Sequence, residues 1–264
     1  MKKISAASKL AILSQFEYRM NLFFDAVVQP AITACVEMLL WIAIFKSTGA
    51  SQFGGYNLYS YLQYVLWAAF FARISISWMY EYKMVSDVDT GAINAILLRP
   101  FSFFSFYWGQ LVGYKALTGF VSLLIPFTIG FFYPEAFHYN RLPQIFFMIF
   151  MFLFFVHTTG FILSSMAFYW NRVFSFCVAK NLIMVFFSGE LYPLDLLPYP
   201  YKELALWLPF PCGVYVPVAY LTGRLGHQEF LECLIRLAII NVFVYFGAQA
   251  LWRKGLRSYS GTGA

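Results

Sequence analysis

The chain has 264 residues, of which 61% are hydrophobic and only 11% charged, with a net charge of +6 and mean hydropathy of +0.67. Soluble domains carry roughly a quarter charged residues, so this chain cannot cover itself with polar surface, and lipid is the solvent it fits. The excess of Lys and Arg has no soluble face to occupy, which argues against nucleic-acid binding. Cys35, Cys177, Cys212 and Cys233 are scattered without a CxxC pair, so neither structural disulfides nor zinc are expected.

Residues 1–20 place Lys2, Lys3, Lys9 and Arg19 among Leu10, Ile12, Leu13 and Phe16 at helical spacing. That pattern predicts an amphipathic helix lying on the membrane surface. A first span is expected over Phe24–Phe45, too long for the core of a signal peptide and therefore retained. A second follows over Leu58–Met79, and then a polar stretch, Glu81–Arg99, stopped by Pro100. Within it, Asp87, Asp89 and Thr90 precede Ala92–Leu98, which reads as a short capped helix ending at Arg99.

Third and fourth spans are predicted over Trp108–Tyr133 and Pro143–Tyr169, joined by a turn containing Pro134, His138, Asn140 and Arg141. A fifth runs over Val173–Phe187 and a sixth over Leu234–Leu251. Between them, residues 188–232 are apolar yet broken by Pro193, Pro198, Pro200, Pro209, Pro211 and Pro217. Irregular backbone at membrane depth must be buried in protein or line a cavity, so short helices re-entering the outer leaflet are expected here rather than a seventh span. The predicted fold is thus an all-α membrane protein of six transmembrane helices forming one domain over residues 1–264. With both termini inside, the inner segments hold ten of the Lys and Arg residues outside the spans and the outer segments hold Lys46, Arg141, Lys202 and Arg224. This bias favours cytoplasmic termini.

Asp25, Glu37, Arg73, His157, Lys180 and Arg236 fall inside or near spans, where ionisable side chains usually face protein or a wet cavity. Glu37 lies near mid-span and Arg73 nearer the cytoplasmic end, so Asp25 competes with Glu37 as the partner of Arg73. A helix-packing ion pair and a substrate or proton site are both open. His157 reads as an interhelical hydrogen-bonder. Glu190 and Asp195, at the outer end of the fifth span, either cap helix ends or meet a departing substrate. No HExxH, GxSxG or GxxxxGK[ST] pattern occurs, so no catalytic residue, metal or ATP site is expected on this chain. No charge-lined route is visible either, which argues against a small inorganic ion as cargo.

Two segments carry a resemblance. Thr90-Gly91-Ala92-Ile93 through Leu97-Leu98-Arg99-Pro100, preceded by acidic residues, and Ser188-Gly189 with Tyr192-Pro193-Leu194-Asp195-Leu196-Leu197-Pro198, then Leu208-Pro209-Phe210, are similar to the membrane subunits of type-2 ABC exporters. The group meant is the small bacterial one in which two related permeases accompany one ATPase. The resemblance implies a permease in the bacterial inner membrane that exports an amphipathic or hydrophobic compound. Its partners would be a separate ABC ATPase subunit, which binds the ATP and Mg, a second or related permease copy, and membrane lipid. It implies that Asp87, Asp89, Gly91, Ile93, Leu97, Leu98 and Arg99, within residues 80–101, couple the chain to that ATPase. A substrate path formed by the first, second and fifth spans would include Phe24, Glu37, Tyr64, Arg73, Phe186 and Glu190. Two other classes compete: a non-transporting scaffold that recruits a soluble partner, and an intramembrane lipid-modifying enzyme using Glu37, His157 or the Glu190/Asp195 pair.

Overall fold

A computed structural model describes residues 2–77, 80–132 and 138–259. The described residues are mostly helical, with no strand among them beyond a single bridge between Phe53 and Tyr56. The helices are α1 (Lys2–Glu17), α2 (Arg19–Phe23), α3 (Gln29–Thr48), α4 (Leu58–Ser75), α5 (Tyr80–Asp89) and α6 (Asn94–Leu97). They continue with α7 (Phe103–Phe132), α8 (Leu142–Met166), α9 (Val173–Ser188), α10 (Tyr201–Trp207), α11 (Tyr215–Leu221) and α12 (His227–Ser258). Among the described residues, four stretches are long and apolar enough to cross a membrane: Arg19–Thr48, Phe103–Thr128, Tyr139–Met166 and His227–Ser258.

The first of these begins earlier than expected. α2 runs into a π-helical turn over Phe24–Val28 and then into α3 without a break. Pro30, in the first turn of α3, offers no N–H and its ring crowds the carbonyl of Ala26, so the helix widens just before it. Gly49 ends α3 in the left-handed region, its N–H returning to the Phe45 carbonyl at 3.1 Å. α7 begins five residues before the expected span and carries Pro126 internally. α8 opens with Pro143 in its first turn, as the sequence predicts.

Two expected spans are shorter or more polar than the other four. α4 carries Gln63, Arg73 and several Tyr and Ser, and it is the core rather than the surface: Tyr61, Tyr64, Trp67, Phe70 and Phe71 are all buried. Tyr61, Tyr64 and Ser75 face protein and Gln63 and Arg73 are partly buried, so it does not need a uniformly apolar surface. α9 is apolar but has 16 residues, ending at Gly189. The expected end of the second span at Met79, and that of the third at Tyr133 with Pro134, lie outside the described residues.

α4 packs between α3 and α7, and α8 lies against α5, α12 and α9. The rings of Phe103, Phe161 and Trp252 stack at 4.6–6.3 Å, locking the start of α7 to the ends of α8 and α12. Those elements and α5 therefore share one end of the bundle. At the other end, residues 189–226 form short helices, Leu194–Leu196, α10, Phe210–Gly213 and α11, with no long helix among them. Ile32, Val36, Leu39 and Leu40 on α3, with Val242, Phe243 and Phe246 on α12, leave broad apolar faces exposed.

Candidate functional site

The polar segment after α4 is built differently from the sequence expectation. It is a ten-residue helix, α5, then a turn at Gly91 (φ 74°), then the four-residue α6. Asp87 and Asp89 therefore do not cap a helix over Ala92–Leu98, because they end the preceding one; the residue before α6 is Ile93, with no side-chain cap. Asp87 is buried, takes 2.6 Å bonding from Lys83 and accepts the Tyr107 hydroxyl, while its carbonyl receives the Ile93 N–H at 2.7 Å. Ile93 is fully buried beside Met84, Val88 and Tyr107. By contrast Asp89, Leu97 and Arg99 are exposed, and Leu98 is 88% exposed. An anchored base thus presents a protruding tip. Asp87, Gly91 and Ile93 shape the base; Asp89, Leu97, Leu98 and Arg99 are free to meet a partner.

α5 is held at its start as well. The Tyr80 hydroxyl bonds the Tyr107 carbonyl and lies 3.0 Å from His157 Nδ1, while His157 Nε2 sits 3.0 Å from the Phe104 carbonyl. With both ring nitrogens engaged in a buried site, His157 is the interhelical hydrogen-bonder its context suggested. Glu81, also fully buried, pairs with Lys180 at 2.7 Å and accepts from Asn181 at 2.7 Å.

Beside this assembly a cavity of about 920 Å³ lies between α1, the π-helical turn, the end of α4 and α7. Its walls are Leu10, Leu13, Ile76 and Leu111, and Glu17, Asp25, Arg73 and Lys115 supply charge. These four charged residues come from four separate segments, so no local pattern in the sequence brought them together. Arg73 pairs with Asp25, which also accepts the Tyr114 hydroxyl, so Asp25 rather than Glu37 is its partner. Asp25, Gln29, Thr33 and Glu37 recur every fourth residue along the first membrane helix. Gln29, Thr33 and Arg73 share a smaller cavity of about 150 Å³ with Glu190. Glu190 feels the charges of Arg73 and Lys115, and Glu37 feels Glu190. One carboxylate oxygen of Glu37 is buried without a hydrogen-bond partner.

Lys115 escaped notice in the sequence because it sits in an apolar run. Its buried ammonium donates to the carbonyls of Arg73 (2.8 Å) and Ile76 (2.5 Å) and so closes the C-terminal end of α4. Those carbonyls have no partner within the helix, and a cation there also suits the helix dipole. The α1–α7 seam was missed too. A Cβ at Gly109 would come within 2.8 Å of Ala7 Cβ and the Ile4 carbonyl, and one at Gly113 would collide with the Ser8 backbone. The spacing of Gly109 and Gly113 is the small-xxx-small signal that lets two helices touch along their backbones.

The far end of α9 closes around Gly189, whose φ of 85° and the 2.5 Å bond from the Tyr64 hydroxyl to its carbonyl fix the break. Tyr64 is buried and holds this break, whereas Phe24 and Phe186 stand exposed on the outer faces of their helices. Asp195 is neither a helix cap nor an open acid: it accepts from the side chains of Tyr56 (2.8 Å), Tyr215 (2.8 Å) and Lys202 (2.7 Å), joining three segments. The Tyr56 phenol, in the loop between α3 and α4, is pushed well above its ordinary range by burial first and then by the Asp195 carboxylate.

A helical bundle with broad exposed apolar faces, several helices long and apolar enough to cross a bilayer, an anchored projection at one end and a charged cavity beside it defines a multi-pass membrane protein. The family model for ABC-2 family transporter protein matches residues 31–263. The chain belongs to that family and is the membrane permease component of an ABC transporter. No match was found among curated proteins.

Proposed function

We propose that the chain is a six-span exporter permease of the bacterial inner membrane, with α4 and α9 as the second and fifth spans and both termini cytoplasmic. α1 then lies at the inner membrane surface, and residues 189–226 dip back into the outer leaflet. A separate ABC ATPase, carrying ATP and Mg, docks on the α5–α6 projection, and a second or related permease completes the channel against the exposed faces of α3 and α9. The cargo is an amphipathic or hydrophobic compound moved outward along the first, second and fifth spans, past Phe24, Glu37, Arg73, Phe186 and Glu190.

One observation carries this reading: Ile93 is fully buried while Leu98, five residues on, is 88% exposed. An apolar tip on a rigid base at a polar end of the bundle has little reason to persist unless a protein groove covers it. The charged cavity adds a polar step within an otherwise apolar route, which suits a cargo with a polar head. Co-purification with candidate phosphate-loop ATPases tests the reading, with transport of labelled amphiphiles into vesicles as the second arm. Loss of the ATPase on changing Leu97 and Leu98 to Asp supports it; an unchanged complex refutes the docking site.

A further inference from the structure

α5 is tied to the bundle by three sets of buried polar contacts, and they do not all lead to the same place. Asp87 leads to Tyr107 on α7, and Tyr80 leads to Tyr107 and His157, on α7 and α8. Those two helices are already locked to α12 by the Phe103, Phe161 and Trp252 rings. Of these three sets, among the described residues, the one at Glu81 leads to α9, through Lys180 and Asn181.

We propose that the Glu81–Lys180–Asn181 triad is the joint by which displacement of α5–α6 reaches α9, making Glu81 and Lys180 positioning residues for transport. The inference rests on the permease reading above. Three features support it. First, a fully buried carboxylate paired with an ammonium is seldom more stable than well-packed apolar residues of the same size, so its value lies in fixing one register between two helices. Beside it the contact is apolar, Val85 against Val173 and Cys177 with Leu163 of α8 behind, and the Tyr82 ring stacked on Phe174 at 5.5 Å, and such contacts are less directional than the ion pair. Second, the Lys180 ammonium and the Asn181 amide both meet one Glu81 oxygen, and the other, equally buried, has no hydrogen-bond partner among the described residues. A spare acceptor lets the pair re-form after a small shear without exposing charge, as a joint between sliding helices needs. Third, Lys180 lies eight residues before Ser188, about 12 Å along a rigid helix. A shift at Lys180 is thus delivered to the Gly189 break and to Glu190 beside Arg73.

The test uses the assembled transporter, permease with its ATPase, in lipid nanodiscs and vesicles, comparing E81Q, K180M and the reversed pair E81K with K180E. Spin labels at exposed Ala95, at Leu182 on α9 and at Phe243 on α12 report movement between nucleotide-free and vanadate-trapped states. In the unaltered protein the Ala95–Leu182 distance stays constant while Ala95 shifts against Phe243. In E81Q and K180M the ATPase still binds and hydrolyses ATP, the Ala95–Leu182 distance changes, and transport per ATP falls about tenfold, within the usual range of coupling between sites. The reversed pair recovers part of the loss. If E81Q transports and tracks like the unaltered protein, or if both single variants lose ATPase binding together, the triad is a packing pair and the joint is refuted. If Ala95 never shifts against Phe243 in the unaltered protein, the permease reading fails instead.

Discussion

Replacing Asp195 with Ala is expected to unlatch the segment between α9 and α12, and the size of the effect can be worked from its three bonds. Lys202 is 39% exposed, so water replaces the carboxylate there at little cost. Tyr56 and Tyr215 are at most 2% exposed, and each would keep a hydroxyl with no acceptor. A buried donor left unpaired costs about 1–3 kcal/mol, so D195A should lose about 2–6 kcal/mol, at the large end for a single substitution. D195N keeps one carbonyl oxygen in place and should lose about half as much. Thermal unfolding of the detergent-solubilised protein, followed by size-exclusion fluorescence, ranks the two against the unaltered chain; because such unfolding is often irreversible, the order of midpoints is the readout. A D195A midpoint equal to that of the unaltered protein, or D195N falling as far as D195A, would refute the clasp.

Further outcomes follow from the same geometry. The Tyr56 phenol has its proton held in the folded state, so its contribution is complete below the ordinary phenol value of 10.0 and is lost as pH rises above it. The midpoint should therefore fall at alkaline pH, and Y56F should flatten that fall. Changing Leu97 and Leu98 together to Asp should abolish ATPase association while leaving the midpoint unchanged, because Leu98 at 88% exposure supports nothing within the chain; an equal loss of midpoint would place them in the fold instead. G113L should push α1 off α7, since even a Cβ collides with the Ser8 backbone, at a cost of about 1–3 kcal/mol. Limited proteolysis after residue 17 should then accelerate, and unchanged cleavage would contradict the seam.

Much of the helical order was legible in the sequence because lipid imposes long apolar runs, and Pro143, Gly189 and the prolines of residues 193–217 punctuate them where the helices start or stop. What sequence could not give were pairings that depend on helix depth and rotation. Asp25 and Glu37 are both acids on the first helix, and only the packing of α4 decides that Arg73 meets the former. Asp87 looked like a helix cap by its position before an apolar run, yet Tyr80–Asp89 is itself helical because Met84, Val85 and Val88 bury a face against α8. Glu81 and Lys180, 99 positions apart, carried no local signal of being partners. The Gly109/Gly113 pair and the four-residue repeat of Asp25, Gln29, Thr33 and Glu37 were readable in principle, each being a spacing on one helix face.

The most direct measurement of the central claim is ATP hydrolysis by this chain reconstituted in lipid with a co-purified ABC ATPase. The account predicts a stable complex whose vanadate-sensitive hydrolysis is stimulated by an amphipathic compound, and loss of that complex when Leu97 and Leu98 are both Asp. A chain that purifies with no ATPase, or a complex indifferent to those two residues, would contradict it.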